Sequence, residues 1–207
     1  MKVTVTDLDL TKLKVSDADS ERTKGLHVSQ ILRYIKQTIS GDIADSGFSE
    51  EDLEWFAIVG RLWEHTLATI LYPEPRYARI GELERDGIIG SPDNLDLNLQ
   101  KFGEFKVTWQ SSRGFQERLK FREYTWQIKS YIALGIPTFG EQTEYGAWLD
   151  VFHICGDYRP PKPLAHHYEL RFSHGEIREH WQMMKIHAQY VEAQGAHGGF
   201  QGGTGKR

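Results

Sequence analysis

The segment from Gly90 to Thr108, GSPDNLDLNLQKFGEFKVT, places Asp93 beside Pro92 and sets Glu104 and Lys106 two residues apart. Side chains i and i+2 of a strand share one face. If EFKVT is a strand, Glu104 and Lys106 point the same way, and Phe105 and Val107 pack into the opposite side. Such a strand can hold a carboxylate and an ammonium together at the rim of a cleft. A hard cation such as Mg²⁺ takes carboxylate, carbonyl and water oxygens. It acidifies a bound water and draws charge from a phosphodiester. A lysine nearby can orient that water and offset the charge that builds on the phosphorus. Asp93, Glu104 and Lys106 are thus the right parts for phosphodiester hydrolysis. An E-x-K pair alone is common on exposed strands and an S-P-D turn is ordinary, so the weight rests on what accompanies them.

Helices and strands must position these groups. His27 to Ser40 carries Val28, Ile31, Leu32, Ile35 and Ile39 at helical spacing. Ser49 followed by Asp52 resembles a capping signal. The helix it opens is expected to run to about Leu71, burying Phe56, Trp63, Leu67 and Ile70, and to stop before Pro73 and Pro75. Residues 77–109 read as strands: GELERDGIIGSPD, LDLNL and EFKVTW, with QKFG as a hairpin turn containing Gly103. A helix follows and should end near Leu134, with Gly135 as its stop and Pro137 beyond. WLDVFHIC reads as a buried central strand. HYELRF alternates Tyr168, Leu170 and Phe172 with polar residues, as a half-buried or edge strand would. Ser173 and Glu176 form a capping box for a last helix with the stripe Ile177, Trp181, Met184 and Val191. The order of helix, helix, strands, helix, strands, helix defines an α/β fold with a central mixed β-sheet flanked by helices.

Composition bounds the rest. The 207 residues fit a single domain, read as 1–194, with a flexible Gly-rich tail at 195–207 that has six glycines in thirteen positions. No run approaches the roughly 20 apolar residues of a membrane span, and MKVTVTDLDL has no signal-peptide core. Cys155 is the only cysteine, which excludes an intramolecular disulfide, a four-cysteine zinc site and an iron–sulfur cluster. A cytoplasmic location is the expectation. The nine histidines, among them the adjacent His166 and His167 and the series His174, His180 and His187, do not match a zinc spacing. A formal charge of −4 argues against coating DNA through bulk electrostatics. It leaves room for metal-binding carboxylates and a local basic track.

The pair SPDNL and EFKVT resembles the SPDGL and E-x-K signature of the lambda-exonuclease and YqaJ-type members of the PD-(D/E)xK nuclease superfamily. Ten residues separate Asp93 from Glu104, a gap common in that family. GRLWEHTLA carries Glu64 four residues after Gly60, similar to the family's G-x-x-x-E helix. YTWQIKSY carries Gln127 and Tyr131, similar to the Q-x-x-x-Y element of RecB-like nucleases. These elements come in the family's order and span about residues 55–135. The resemblance implies a restriction-endonuclease-like core and an enzyme dependent on Mg²⁺ or Mn²⁺. It implies metal ligands at Asp93, Glu104 and Glu64, with the Phe105 carbonyl as a further one, and catalytic roles for Lys106 and Gln127. It also implies DNA as the partner, through an exonuclease of phage or bacterial recombination, repair or DNA processing, with a homo-oligomer or a phage recombination protein as further partners. CRISPR-associated relatives usually carry four cysteines, and a chain with Cys155 alone departs from them.

Each assignment has a rival. His65 competes with Glu64, although the spacing from Gly60 favours Glu64, and neighbours Ala68 and Leu71 suggest a partly covered face. Asp96 competes with Asp93, which Pro-Asp favours. Arg113, Arg118, Lys120 and Arg122 form the one basic cluster, either a solvated face or a phosphate-holding surface beside the catalytic strand. Tyr131 either stacks on nucleic acid or packs. Against the enzyme stands a non-catalytic nucleic-acid-binding or structural subunit of a DNA-processing complex that keeps the fold. The intact Asp, Glu and Lys speak against that alternative.

Overall fold

A computed structural model describes residues 23–40, 50–72 and 74–197. A two-residue strand, β1 (Leu26–His27), leads straight into helix α1 (Val28–Ser40). Val28, Ile31, Leu32 and Ile35 of α1 are buried, as the periodicity predicts, while Ile39 is exposed. Gln30 closes the start of the helix by accepting the His27 N–H at 2.8 Å. Helix α2 follows (Glu50–Ile70). Phe56 and Trp63 are half-buried on it, but Ile70 is 68% exposed and does not belong to the buried face. The side chains of Asp52 and Leu67, and all of Ser49 and Pro73, lie outside the described residues.

Four short strands come next: β2 (Tyr77–Ala78), β3 (Leu83–Arg85), β4 (Ile88–Gly90) and β5 (Asn94–Asp96). Asp86 and Gly87 join β3 to β4 with φ of 54° and 75°, the left-handed pair that a tight Asp-Gly hairpin requires. The hairpin before the catalytic strand differs from the expected one. Only Asn94–Asp96 of that segment is strand, the turn is Leu97–Gln100, and β6 begins at Lys101 and runs to Thr108. Leu97 and Leu99 are exposed in the turn. Gly103 is therefore inside β6, where a Cβ would stand 2.2 Å from the Trp148 ring; its small size serves packing and not a turn.

A short 3₁₀ turn (Phe115–Glu117) opens α3 (Leu119–Phe139). The helix continues through Gly135 and Pro137 and ends at Gly140, so neither of those residues is the stop expected. Proline has no N–H to offer the carbonyl four residues back. Arg85 Nη1 instead donates to that Ala133 carbonyl at 2.8 Å. Strands β7 (Glu144–His153) and β8 (Leu164–Ser173) then lead to α4 (His174–His197), which runs three residues into the segment read as a tail. The capping box forms as expected: Glu176 N–H donates to Ser173 Oγ and Ser173 N–H to Glu176 Oε2. Residues 198–207 lie outside the described residues.

The main sheet has the order β2-β5-β6-β7-β8, with β6 and β7 parallel and the other pairs antiparallel. A second sheet, β1-β4-β3, was not anticipated from sequence. The fold is α/β, a mixed sheet flanked by helices. Phe102 of β6, Ala147, Leu149 and Val151 of β7 and Phe172 of β8 join residues of α1, α3 and α4 in one core. On the opposite face Trp63 of α2 stacks on Phe152 with centroids 4.5 Å apart. Among the described residues no helix is long and apolar enough to cross a membrane.

His180 shows how tightly the α3–α4 contact is made. It is 7% exposed, with Nε2 2.9 Å from Ser130 Oγ. Ser130 already donates to the Trp126 carbonyl, so the neutral His180 ring is the donor. Burial, with Lys129 nearby, pushes its pKa down to about 3. The unfolded chain therefore binds this proton more readily, and the contribution to stability is full above about pH 6.5 and declines as pH falls towards 3. Denaturation between pH 6.5 and 4 should show His180→Gln with a shallower loss than wild type, by up to about 1.4 kcal/mol per pH unit. Parallel curves would contradict this account.

Candidate active site

The site grows from the edge of β6 that β5 leaves open. β5 pairs only with Lys101–Gly103. From Glu104 onward β7 lies on one side, and among the described residues no strand pairs on the other. An unpaired N–H here needs an acceptor, and Phe105 N–H donates to Asp93 Oδ2 at 2.8 Å. Asp93 can reach it because Gly90, Ser91 and Pro92 carry the chain from β4 across to β5. Gly90 lies under the Tyr131 ring, where a Cβ would be 2.9 Å from Cε1.

Strand alternation does the rest. Glu104 and Lys106 share the face of Leu149 and Val151, their partners in register. Phe105 turns to the other face and stacks on Tyr72, with centroids 5.5 Å apart. Glu104 is fully buried and its Oε1 is ion-paired with Lys106 Nζ. Its Oε2 has no hydrogen-bond partner. Burial, and then the negative charge of Asp93, push the Glu104 carboxyl well above the usual carboxylate range, against the pull of Lys106. Burial would lower the Lys106 pKa, but Glu104 and Asp93 outweigh it and hold the ammonium charged.

Glu64 approaches this edge from α2, its side chain 22% exposed. Burial, then the Asp93 carboxylate within hydrogen-bonding reach, push its pKa up to about 7, while Arg79, ion-paired with it, and Lys106 oppose the shift. From α3, Gln127 Nε2 donates to Tyr131 Oη at 2.6 Å. Burial first, then Glu104 and Asp93, raise the Tyr131 hydroxyl well above its ordinary value. Glu64, Arg79, Asp93, Lys106, Gln127 and Tyr131 line one cleft of about 520 Å³, and Glu104 lies buried beneath.

The sequence candidates thus divide. Glu64, Asp93, Glu104, Lys106, Gln127 and Tyr131 come together. His65 is exposed. Asp96 is a structural group: Arg76 donates twice to Oδ2, and the Asn98 and Leu99 N–H groups bind Oδ1 in the hairpin turn. Leu71, expected beside Glu64 on a partly covered face, is 59% exposed, and the Ala68 side chain lies outside the described residues. Arg113 in the loop after β6, Arg118 at the cap of α3, and Lys120 and Arg122 in its first turn all lie outside the cleft lining. Arg113 pairs with Asp157 and Lys120 with Glu123, and Arg118 donates to the Arg113 carbonyl. Sequence reading missed Arg79, a single arginine in a short connection that only its contact with Glu64 marks out.

Among the described residues, no three His, Cys, Asp or Glu side chains are gathered closely enough to enclose a metal ion. The donor chemistry nevertheless fits a hard cation. Three carboxylates face one lysine and one arginine, two of the carboxyls are pushed up by their neighbours, and Glu104 Oε2 is buried without a partner. Glu104 Oε1 is committed to Lys106 and Asp93 Oδ2 to the backbone, so these carboxylates would have to re-aim to share an ion.

No protein-family model matches the chain, and no curated protein matches it in sequence. Among solved structures it is similar to the protein SSO0001, at 14% identity and a TM-score of 0.43 over 82% of this chain and 79% of that one. It is similar to LHK-Exo in complex with dAMP at 14% identity and 0.43, over 84% and 90%. A phage-related exonuclease from Haemophilus somnus 129PT matches at 13% identity and 0.39, over 80% and 82%.

Glu64 provides a direct test of the electrostatics. Its folded pKa lies above the unfolded value, so its stabilising share is present below about pH 4.5 and is lost as pH rises through about 7. Carbon-detected NMR titration of the metal-free protein should place a Glu64 midpoint near 7, and Asp93→Asn should move it down. A midpoint in the ordinary carboxylate range in wild type would mean that Glu64 is not buried in the cleft beside Asp93.

Proposed function

We propose that this chain is a metal-dependent nuclease that hydrolyses DNA phosphodiester bonds, acting as an exonuclease in phage or bacterial recombination, repair or DNA processing. The observation that carries the reading is the buried Glu104 carboxylate, one oxygen against Lys106 and the other without a partner, beside Asp93 and Glu64 at an open strand edge. Burying so much like charge is unfavourable unless a cation offsets it. Asp93, Glu104 and Glu64 are the residues that would hold Mg²⁺ or Mn²⁺, with the Phe105 carbonyl as a further oxygen. The ion supplies an acidified water and charge neutralisation at the phosphate.

The protein's own groups divide the remaining work. Lys106, kept charged by its carboxylate neighbours, orients the attacking water and offsets charge developing on the phosphorus. Gln127, fixed by Tyr131, directs an amide towards the phosphate. Arg79, which lines the same cleft and is ion-paired with Glu64, would neutralise a phosphate oxygen. The alternative of a binding module without catalysis is disfavoured by the presence of all three elements, carboxylates, lysine and cleft.

Digestion of linear and circular, single- and double-stranded DNA with Mg²⁺, Mn²⁺ and EDTA tests the activity. Cleavage confined to linear substrates and abolished by EDTA is expected. Lys106→Ala should reduce turnover by about 10²–10³ while DNA binding survives. Lys106→Arg keeps the charge but changes reach and geometry, so its activity should also fall well below wild type. Near-normal cleavage by Lys106→Ala would remove the lysine from catalysis, and absence of any metal-dependent cleavage would favour the binding module.

A further inference from the structure

Two exposed aromatic side chains stand at the end of β6, beyond the cleft. Trp109 is 37% exposed and leans on Phe56 of α2, with centroids 5.4 Å apart. Tyr158 is 48% exposed, and its hydroxyl donates to the Trp109 carbonyl. Tyr158 holds a φ of 68°, a conformation disfavoured for residues with a side chain and kept only where the surroundings enforce it. The enforcing contacts are visible. Ser112 N–H donates to the Gly156 carbonyl at 2.9 Å, Ile154 N–H to Thr108 at 3.0 Å, and Tyr158 N–H to Cys155 at 3.0 Å. The loops after β6 and β7 are thereby stitched into one ledge.

The surrounding charge is basic. Arg113, its side chain 78% exposed, and Arg118 lie on the first of these loops, and Lys120 is in the first turn of α3. Asp157 and Glu123, through the pairs already noted, and Glu117 on the same loop offset this charge only in part. The ledge lies outside the cleft lining but close to it in the chain. Trp109 follows Lys106 by three residues, just past the end of β6, within about 10 Å at ~3.3 Å per residue. Lys106 and Lys120 flank one ring, that of Tyr124, at 5.9 and 5.2 Å from its centroid.

We propose that Trp109 and Tyr158 form a base-stacking ledge for single-stranded DNA entering or leaving the cleft, with Arg113 and Arg118 on its phosphates. This rests on the nuclease reading of the cleft. Exposed rings joined to a basic track suit single strands, whose bases present free faces, and not a duplex, whose bases are already stacked. The ledge then selects substrates with a single-stranded segment next to the scissile bond, and it takes no part in the bond-breaking step.

The test uses the full chain in EDTA and a labelled oligothymidylate, with fluorescence anisotropy as the readout. Trp109→Ala should weaken binding roughly 5- to 150-fold and Tyr158→Ala measurably, whereas Trp109→Phe should recover most of the affinity. A blunt duplex should bind all four proteins alike. Arg113→Ala should reduce the salt slope of single-strand binding by about one. Hydrolysis of bis(p-nitrophenyl) phosphate with Mn²⁺, a substrate too small to reach the ledge, should be unchanged by Trp109→Ala. Wild-type affinity in Trp109→Ala and Tyr158→Ala, with ester hydrolysis intact, would overturn the ledge and leave the nuclease reading standing. An equal loss on duplex, or a parallel loss of ester hydrolysis, would make Trp109 a general support of the fold and would also overturn it. Absence of both DNA binding and ester hydrolysis in wild type would overturn both readings.

Discussion

The hydrogen bond from Phe105 N–H to Asp93 Oδ2 is the constraint on which the rest of the site depends. β5 is three residues long and stops pairing at Gly103, so β6 would otherwise expose an unsatisfied backbone at its centre. The carboxylate does the work of a strand partner. In doing so it fixes Asp93 between Glu104 and Glu64, because Phe105 separates the two β6 side chains that face α3. A strand edge that must be capped and a carboxylate that must be positioned are thus served by one contact. Had β5 continued, the edge would be closed and Glu64 of α2 would have no path to Asp93.

The opposite face of the sheet makes this edge rigid. Tyr72 stacks on both Phe105 and Trp148, with centroids at 5.5 and 5.3 Å, and meets Tyr77 edge-on. Its hydroxyl donates to Asp150 Oδ2 at 2.7 Å, and the other oxygen of Asp150 takes the His167 ring at 2.7 Å. A polar chain from α2's end to β8 therefore clamps the aromatic layer directly behind the candidate site. Gly103 lets Trp148 come this close, since any side chain there would enter the indole. Packing on one face and chemistry on the other are coupled through a single residue, Phe105.

Much of this was legible in the sequence, for definable reasons. The amphipathic period of α1, the capping box of α4 and the apolar run of β7 are local signals, and the structure contains those elements. The i, i+2 spacing of Glu104 and Lys106 and the i, i+4 spacing of Gln127 and Tyr131 needed only helix and strand geometry. The misses are non-local. Pro137 and Gly135 looked like a helix stop because nothing nearby shows that Arg85, 48 residues back in the chain, satisfies the Ala133 carbonyl. Gly103 looked like a turn residue because the demand for a small residue comes from Trp148 on the neighbouring strand. Ile70 looked buried by period, yet it is exposed while Tyr72, two residues on, packs against the sheet. Arg79 carried no signal in sequence at all, and Asp96 could be separated from Asp93 only by seeing its partners.

The electrostatics of the cleft run against stability, and that is their significance. A buried carboxylate oxygen without a partner costs on the order of 1–3 kcal/mol or more, and Glu104 Oε2 is such an atom. An apolar residue would pack beside Leu149 and Val151 with less strain. Asp93 and Glu64 add like charge instead of relieving it, and each pushes Glu104 further up. Lys106 offsets part of this at one oxygen only. The other two buried carboxylates among the described residues are treated differently: Asp96 fills both oxygens and Asp150 fills both. A carboxylate left half-paired in a fold that fully pairs its other buried carboxylates points to a functional site. The violation here has one sign, an excess of negative charge at an open edge, so its natural complement is a cation.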